Sequence, residues 1–176
     1  MKSVKCIGDS ITEGWALPDP QNMSYPGLCG WDNYGSAGAV VQSFLPEAYK
    51  NTLAYRVSKR NHADITILFM GTNDVPQLTP HFKEEYEQLI DDYKEADPKS
   101  SIVLVAPPKT ADAAYNRRLE KVVNLIRDIA RERHLQFVDL YDQSSPDWLT
   151  GDGIHPSAYG QQQIARILKS SIEKGA

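Results

Sequence analysis

The chain has 176 residues, 41% hydrophobic and 24% charged, proportions that fit one folded domain over residues 1–176 and argue against a disordered chain, a collagen-like fibre or a coiled coil. A formal net charge of −4, from 19 basic and 23 acidic residues, argues against nucleic acid or an anionic membrane as the main partner. No run reaches the roughly 18 apolar residues of a membrane helix. The opening Met1-Lys2-Ser3-Val4-Lys5-Cys6-Ile7 lacks the apolar core of a signal peptide, so the cytoplasm is the expected location. Two cysteines, Cys6 and Cys29, are too few for a disulfide framework, although a single bridge between them stays open.

Taken in chain order, short apolar runs alternate with longer amphipathic ones. Val4–Ile7 reads as a strand ended by Gly8, and Trp31–Tyr34 as a weaker one before Gly35 and Gly38. Leu53–Arg60 reads as a short helix. Ile65–Met70 is a β-branched strand ended by Gly71. Pro80–Ala96 repeats apolar residues at Phe82, Tyr86, Leu89, Ile90 and Tyr93, a helical period. Ile102–Ala106 is a strand stopped by Pro107-Pro108, and Ala113–His134 a helix facing inward with Leu119, Val122, Val123, Ile126, Ile129 and Ala130. Gln136–Leu140 is the last strand. Ser157–Ile172 is the last helix, with Tyr159, Ile164, Ile167, Leu168 and Ile172 as its apolar set.

Strands that are apolar at nearly every position are covered on both faces, as in parallel sheets. The alternation predicts a three-layer α/β/α sandwich on a five-stranded parallel sheet in flavodoxin-like order. Ligands in such sheets bind beyond the carboxyl ends of the strands. Four polar, glycine-containing segments fall there: Gly8-Asp9-Ser10-Ile11-Thr12-Glu13-Gly14, Asn33-Tyr34-Gly35-Ser36-Ala37-Gly38, Gly71-Thr72-Asn73-Asp74 and Gly151-Asp152-Gly153-Ile154-His155-Pro156.

Together they suit acyl transfer. A serine hydroxyl needs an imidazole to take its proton, and the imidazole needs a carboxylate to orient it. Ser10, His155 and Asp152 supply that set. Backbone N–H groups of Ser10 and a glycine, with the Asn73 amide, can meet an oxyanion. Each residue alone has a plainer reading: Asp9, Ser10, Asn73 and Asp74 as helix caps or turn residues, Asp152-Gly153 as a turn, His155 as a structural histidine. Their joint placement at four strand ends favours the catalytic reading.

The four blocks resemble those of the SGNH hydrolases, the GDSL-type esterases and lipases. The resemblance spans nearly the whole chain. It implies Ser10 as nucleophile, His155 as base, Asp152 as its orienting carboxylate, and an oxyanion hole of Ser10 N–H, Gly38 N–H and the Asn73 side chain. It implies Gly38 rather than Gly35 as the glycine donor, with Ala37 standing where serine is common. The stretch Tyr25–Trp31 is shorter than in many relatives, where a helix fits. The run from Asp19 to Pro26 looks like bacterial carbohydrate and sialate O-acetylesterases.

The expected activity is therefore hydrolysis of a short-acyl, acetyl-type ester on a small molecule such as a carbohydrate. No cofactor and no metal is expected. Trp15, Tyr25 and Trp148 lie near the catalytic blocks in sequence and are candidate rings for stacking on a sugar, or else packing residues. The alternatives are a thioesterase or lysophospholipase of the same family, a non-catalytic flavodoxin-like binder, and a metal hydrolase using Asp9, Asp74, Asp152 and His155. Against the binder, the chain has no Gly-x-Gly-x-x-Gly or Walker loop.

Overall fold

A computed structural model of the chain describes residues 1–175. The elements run β1 (Val4–Gly8), α1 (Ser10–Glu13), α2 (Pro20–Met23), α3 (Tyr25–Cys29), β2 (Asp32–Gly35), α4 (Leu53–Arg60) and β3 (Ile65–Phe69). They continue with α5 (Phe82–Ala96), β4 (Ser101–Ala106), α6 (Ala113–Glu132), β5 (Gln136–Asp139), α7 (Leu140–Gln143) and α8 (Ala158–Lys174). Short 3-10 turns cover Tyr49–Asn51, Thr72–Gln77 and Pro146–Trp148. Among the described residues the five strands form one parallel sheet in the order β2-β1-β3-β4-β5. This is the flavodoxin-like order expected from the sequence, with helices on both faces.

Successive residues of a strand face opposite sides, so each strand serves two cores. Leu68, Met70, Leu104 and Ala106 join Ile7 and the inner faces of α5 and α6, including Phe82, Leu89, Leu119, Val122 and Ile126. Ile67, Phe69, Val103 and Val105 join Cys6, Ile11, Tyr25 and the α8 residues Ile164 and Leu168. That double duty explains why these strands are apolar at nearly every position. Cys6 and Cys29 are both free thiols. Among the described residues no helix is long and apolar enough to cross a membrane.

Several boundaries differ from the sequence reading for local reasons. The weak strand begins at Asp32, because α3 ends at Gly30 in a left-handed turn whose next residue, Trp31, donates its N–H to Pro26 O. The last strand stops at Asp139, whose carboxylate accepts the Asp142 N–H and caps α7, so Leu140 is helical. Tyr159 is 48% exposed; the buried face of α8 instead includes Gln161, with Ile164, Ala165, Leu168 and Ile172. The shortened Tyr25–Trp31 stretch still forms a helix, the five-residue α3, which packs against α8.

Strand register brings the carboxyl ends level. Gly8 pairs with Gly35 on one side and Phe69 on the other, and Phe69 pairs with Val105. The chain therefore leaves β1, β2 and β3 at one height, and residues 9–10, 36–38 and 71–74 share one rim. Gly35 permits the close approach this needs: a Cβ there would lie 2.2 Å from the Glu13 backbone nitrogen.

Candidate active site

Ser10 opens α1, directly after β1. Asp9 caps that short helix, its Oδ1 accepting the Ile11 N–H at 2.9 Å. Asp9 thus has the plain capping role, while the Ser10 side chain is left to face the rim. The Asp9 carboxyl is 2% exposed, and burial pushes its pKa up to about 7, with the nearby Asp74 charge adding to the rise.

The segment carrying Asp152 and His155 lies between β5 and α8. An antiparallel bridge between Leu149 and Pro156 closes it into a tight loop. Thr150 N–H donates to His155 O at 2.8 Å across the loop. Inside it, Asp152 Oδ1 accepts the Ile154 and His155 N–H groups at 2.8 and 2.9 Å and the Thr150 hydroxyl at 2.9 Å. Asp152 Oδ2 lies 2.6 Å from His155 Nδ1, and His155 Nε2 lies 3.0 Å from Ser10 Oγ. A carboxylate against Nδ1 fixes the proton on that nitrogen and leaves Nε2 free to accept the serine proton. Burial tends to raise the Asp152 pKa, but the donors from His155, Ile154 and Thr150 outweigh it and hold the carboxyl well below the usual range.

The three candidate oxyanion donors lie on the converging rim loops. Asn73 sits in the turn after β3, and its Nδ2 donates to Ala39 O at 3.1 Å, tying it to the loop that carries Gly38. One amide hydrogen on Nδ2 remains for a ligand. Gly38 is exposed, has φ +77°, and has open space where a side chain would project. From Ser36 to Ser43, the neighbouring N–H groups are all held. Ser36 donates to Gly8 O, Ala37 to Glu13 Oε2, Ala39 to Ser36 O and Val40 to Glu47 O. Val41 and Gln42 donate to the Asp74 carboxylate, and Ser43 to Glu85 Oε2. Among the described residues, Gly38 is the one member of this run whose N–H has no acceptor. The N–H of Ser10, at the first position of α1, has none either.

The three aromatic candidates separate. Trp15 is 51% exposed, with its ring centroid 4.5 Å from that of His155. Tyr25 is fully buried; its hydroxyl bonds Thr12 Oγ1 at 2.9 Å and its ring packs on Phe69. Trp148 is also buried, in the same core cluster as α8. Tyr25 and Trp148 are thus packing residues and not substrate contacts: sequence proximity to a catalytic block did not carry them to the surface.

The four groups considered for a metal are not gathered either. Asp9 serves Ile11, Asp74 serves Val41 and Gln42, and Asp152 serves its own loop and His155. Among the described residues no three His, Cys, Asp or Glu side chains converge as a metal site requires.

A cleft of about 360 Å³ opens beside Asp152, between Thr110–Tyr115 and Gly153-Ile154. A larger recess of about 530 Å³, lined by Ser3, His62, Asp64 and Asp97, lies at the amino ends of the strands, away from these groups.

Sequence reasoning missed three buried or bracing residues. Gln161 accepts the Tyr25 N–H at 2.8 Å and donates to Ile11 O at 2.9 Å, so α8 supports the turn beneath Ser10. Its place on the face shared by Ile164, Ala165 and Leu168 was the available signal. Glu13 and Asp74 stood inside recognised motifs, but nothing in the sequence pairs them with residues 37–42.

A parallel five-stranded sheet, covered by helices on both faces and carrying these groups at its carboxyl rim, is the α/β fold of the SGNH hydrolases. A model of the GDSL-like lipase/acylhydrolase family matches residues 6–163, and the chain belongs to that family, a class of carboxylic ester hydrolases. It is 24% identical to an acetylxylan esterase of Xylanibacter ruminicola, over 97% of this chain but only 43% of that protein. The chain thus spans under half the length of this curated relative. Its fold matches that of a carbohydrate acetylesterase from Sinorhizobium meliloti, with a TM-score of 0.81, 20% identity and all of both chains covered. It also matches an aryl esterase of M. smegmatis, with a TM-score of 0.79, 16% identity and 99% of each chain covered.

Proposed function

We propose that the protein is a serine esterase that removes short acyl groups, acetyl foremost, from a small carbohydrate-like alcohol. The observation that carries this is the continuous chain from Ser10 Oγ to His155 Nε2 at 3.0 Å and from His155 Nδ1 to Asp152 at 2.6 Å, facing a loop whose one unheld N–H is Gly38.

In this reading Ser10 Oγ attacks the ester carbonyl carbon as its proton passes to His155 Nε2. Asp152 holds the imidazole and stabilises its charged form. The carbonyl oxygen becomes an oxyanion and receives the Ser10 and Gly38 N–H groups and the Asn73 amide. Collapse breaks the ester C–O bond. His155 returns the proton to the leaving alcohol, and Ser10 is left acylated. Water then attacks the acyl carbon with His155 again as base, releasing the acid and restoring the serine.

The acetyl and carbohydrate elements rest on the relatives described above and on Trp15. An exposed indole beside the catalytic imidazole offers a flat apolar face to a sugar ring. No cofactor enters any step. The partner required is the small-molecule ester alone, and the cytoplasm remains the proposed location.

The test has three readouts. A fluorophosphonate should label Ser10 alone, with labelling absent in Ser10→Ala. Rates on 4-nitrophenyl esters should fall from two carbons toward eight, and acetylated xylo-oligosaccharides should be deacetylated. Labelling at another serine would overturn the nucleophile, and faster turnover of the octanoyl ester would replace the acetyl reading with a thioesterase or lysophospholipase one.

A further inference from the structure

The loop from Ser36 to Ser43 has no regular secondary structure of its own beyond a single bridge from Val40 to Ala48. Its shape is set by side chains that reach it from other parts of the chain. Glu13, at the end of α1, accepts the Ala37 N–H at 2.5 Å, immediately before Gly38. Asp74, in the turn after β3, is fully buried and accepts Val41 N–H at 3.1 and 3.0 Å and Gln42 N–H at 3.1 Å, just beyond it. Each carboxylate is bound covalently, through a few residues of backbone, to another group of the site. Glu13 lies three residues after Ser10 in one four-residue helix, and Asp74 directly follows Asn73.

We propose that Glu13 and Asp74 are positioning residues that set the distances among the oxyanion donors: Glu13 locks Gly38 to the Ser10 helix, and Asp74 locks the same loop to Asn73. Neither carboxylate needs to touch substrate. Hydrogen bonds from backbone N–H to a carboxylate are charge-assisted and stronger than neutral ones. Three such N–H groups, Ala37 before Gly38 and Val41 and Gln42 after it, hold this loop as a fixed edge of the hole. Preorganised donors stabilise an oxyanion because they need not move as charge develops. A slackened loop loses that advantage even when every donor is still present. The inference rests on the oxyanion-hole reading of Gly38 and Asn73.

The experiment compares Glu13→Ala, Glu13→Gln, Asp74→Asn and Asn73→Ala by kcat and KM on 4-nitrophenyl acetate, per site titrated with fluorophosphonate. Glu13→Ala and Asp74→Asn should each lower kcat about tenfold or more, since small misplacements in a site are costly. KM should stay within about threefold, because the oxyanion exists only in the transition state. Glu13→Gln keeps an acceptor oxygen for the one N–H it holds and should recover most of the loss, whereas Asp74→Asn sets an NH2 donor against the Val41 N–H, which both Asp74 oxygens accept. A purely structural role would lower the melting temperature and the titratable fraction and leave kcat per site unchanged. Unchanged kcat in Glu13→Ala and Asp74→Asn, with a large loss in Asn73→Ala, overturns the positioning role alone. Unchanged kcat in all of them overturns the oxyanion reading with it. If Asp74→Asn fails to fold, the exposed Glu13 decides the matter by itself.

Discussion

Asp9 and Ser10 are adjacent, yet their environments differ in kind. Ser10 Oγ meets an imidazole, while the Asp9 carboxyl is enclosed and has one backbone donor. With its folded pKa raised to about 7 from an unfolded value near 3.9, the native state holds the Asp9 proton more tightly than the unfolded chain. Its contribution to stability is therefore complete below about pH 4 and is lost as the pH rises through 7. A pKa rise of that size corresponds to about 4 kcal/mol at most. Asp9→Asn keeps an oxygen for the Ile11 N–H and never ionises. Its stability relative to the parent should grow between pH 4 and 7 and level off above. Paired thermal melts at pH 4.5 and 7.5 measure this, and equal differences at the two values would show that Asp9 is not buried as an acid. Neither its burial nor Asp74's was legible in the sequence. An aspartate beside serine in a glycine-rich turn reads as an exposed cap, and only the packing of the folded chain around each carboxyl removes the water.

At the scale of elements, α8 is more than a cover for the sheet. Its Gln161 spans α1 and α3 with both ends of one amide. Gln161→Leu keeps most of the volume and strands two buried backbone groups, the Tyr25 N–H and the Ile11 carbonyl. Each unsatisfied group costs about 1–3 kcal/mol, so a loss of roughly 2–6 kcal/mol is expected in urea or thermal unfolding. A loss under about 1 kcal/mol would mean that α3 shifts and finds other partners. The long elements were readable because their apolar period is strong: α5, α6 and α8 lie within two residues of the expected bounds. The four-residue helices α1, α2 and α7 carry too few residues for a period. They are set by caps such as Asp9 and Asp139 and by neighbours already in place.

Across the whole molecule the two ends of the sheet have separate tasks. The carboxyl rim carries the proposed chemistry. At the amino end, Lys5 of β1 is wholly buried, with its Nζ donating to Ser58 O, Asn61 O and the Asp97 carboxylate at 3.2, 2.6 and 3.4 Å. It joins the end of α4 to the residue that follows α5. Burial lowers its pKa, and Asp97 opposes the fall. Lys5→Met removes the cation and leaves a buried carboxylate and two helix-end carbonyls with fewer donors. Breaking such a pair costs about 3–5 kcal/mol. A Tm lower by roughly 6–20 °C follows for a chain of this size. The kcat per titrated site should be unchanged, because the lesion lies at the far end of the strands. A fall in kcat at constant active fraction would show that the two ends are coupled.

The amino-acid order by itself determined the strands, their parallel arrangement and the chain positions of Ser10, Gly38, Asn73, Asp152 and His155. Those features are written in local periods and in short motifs at strand ends. Distances between segments far apart in the chain were decided by tertiary structure alone. The level carboxyl ends of β1, β2 and β3 bring Ser10, Gly38 and Asn73 to one rim, and the closed loop before α8 carries His155 to within 3.0 Å of Ser10. Packing also separated Trp15 from Tyr25 and Trp148. All three are large aromatic residues near catalytic motifs, and only the helices around each one determine whether its ring meets solvent or the core. The carboxylates that hold the Gly38 loop belong to the same class. An unpaired backbone N–H is satisfied by whatever acceptor the fold brings near, and that pairing has no signature in the order of residues.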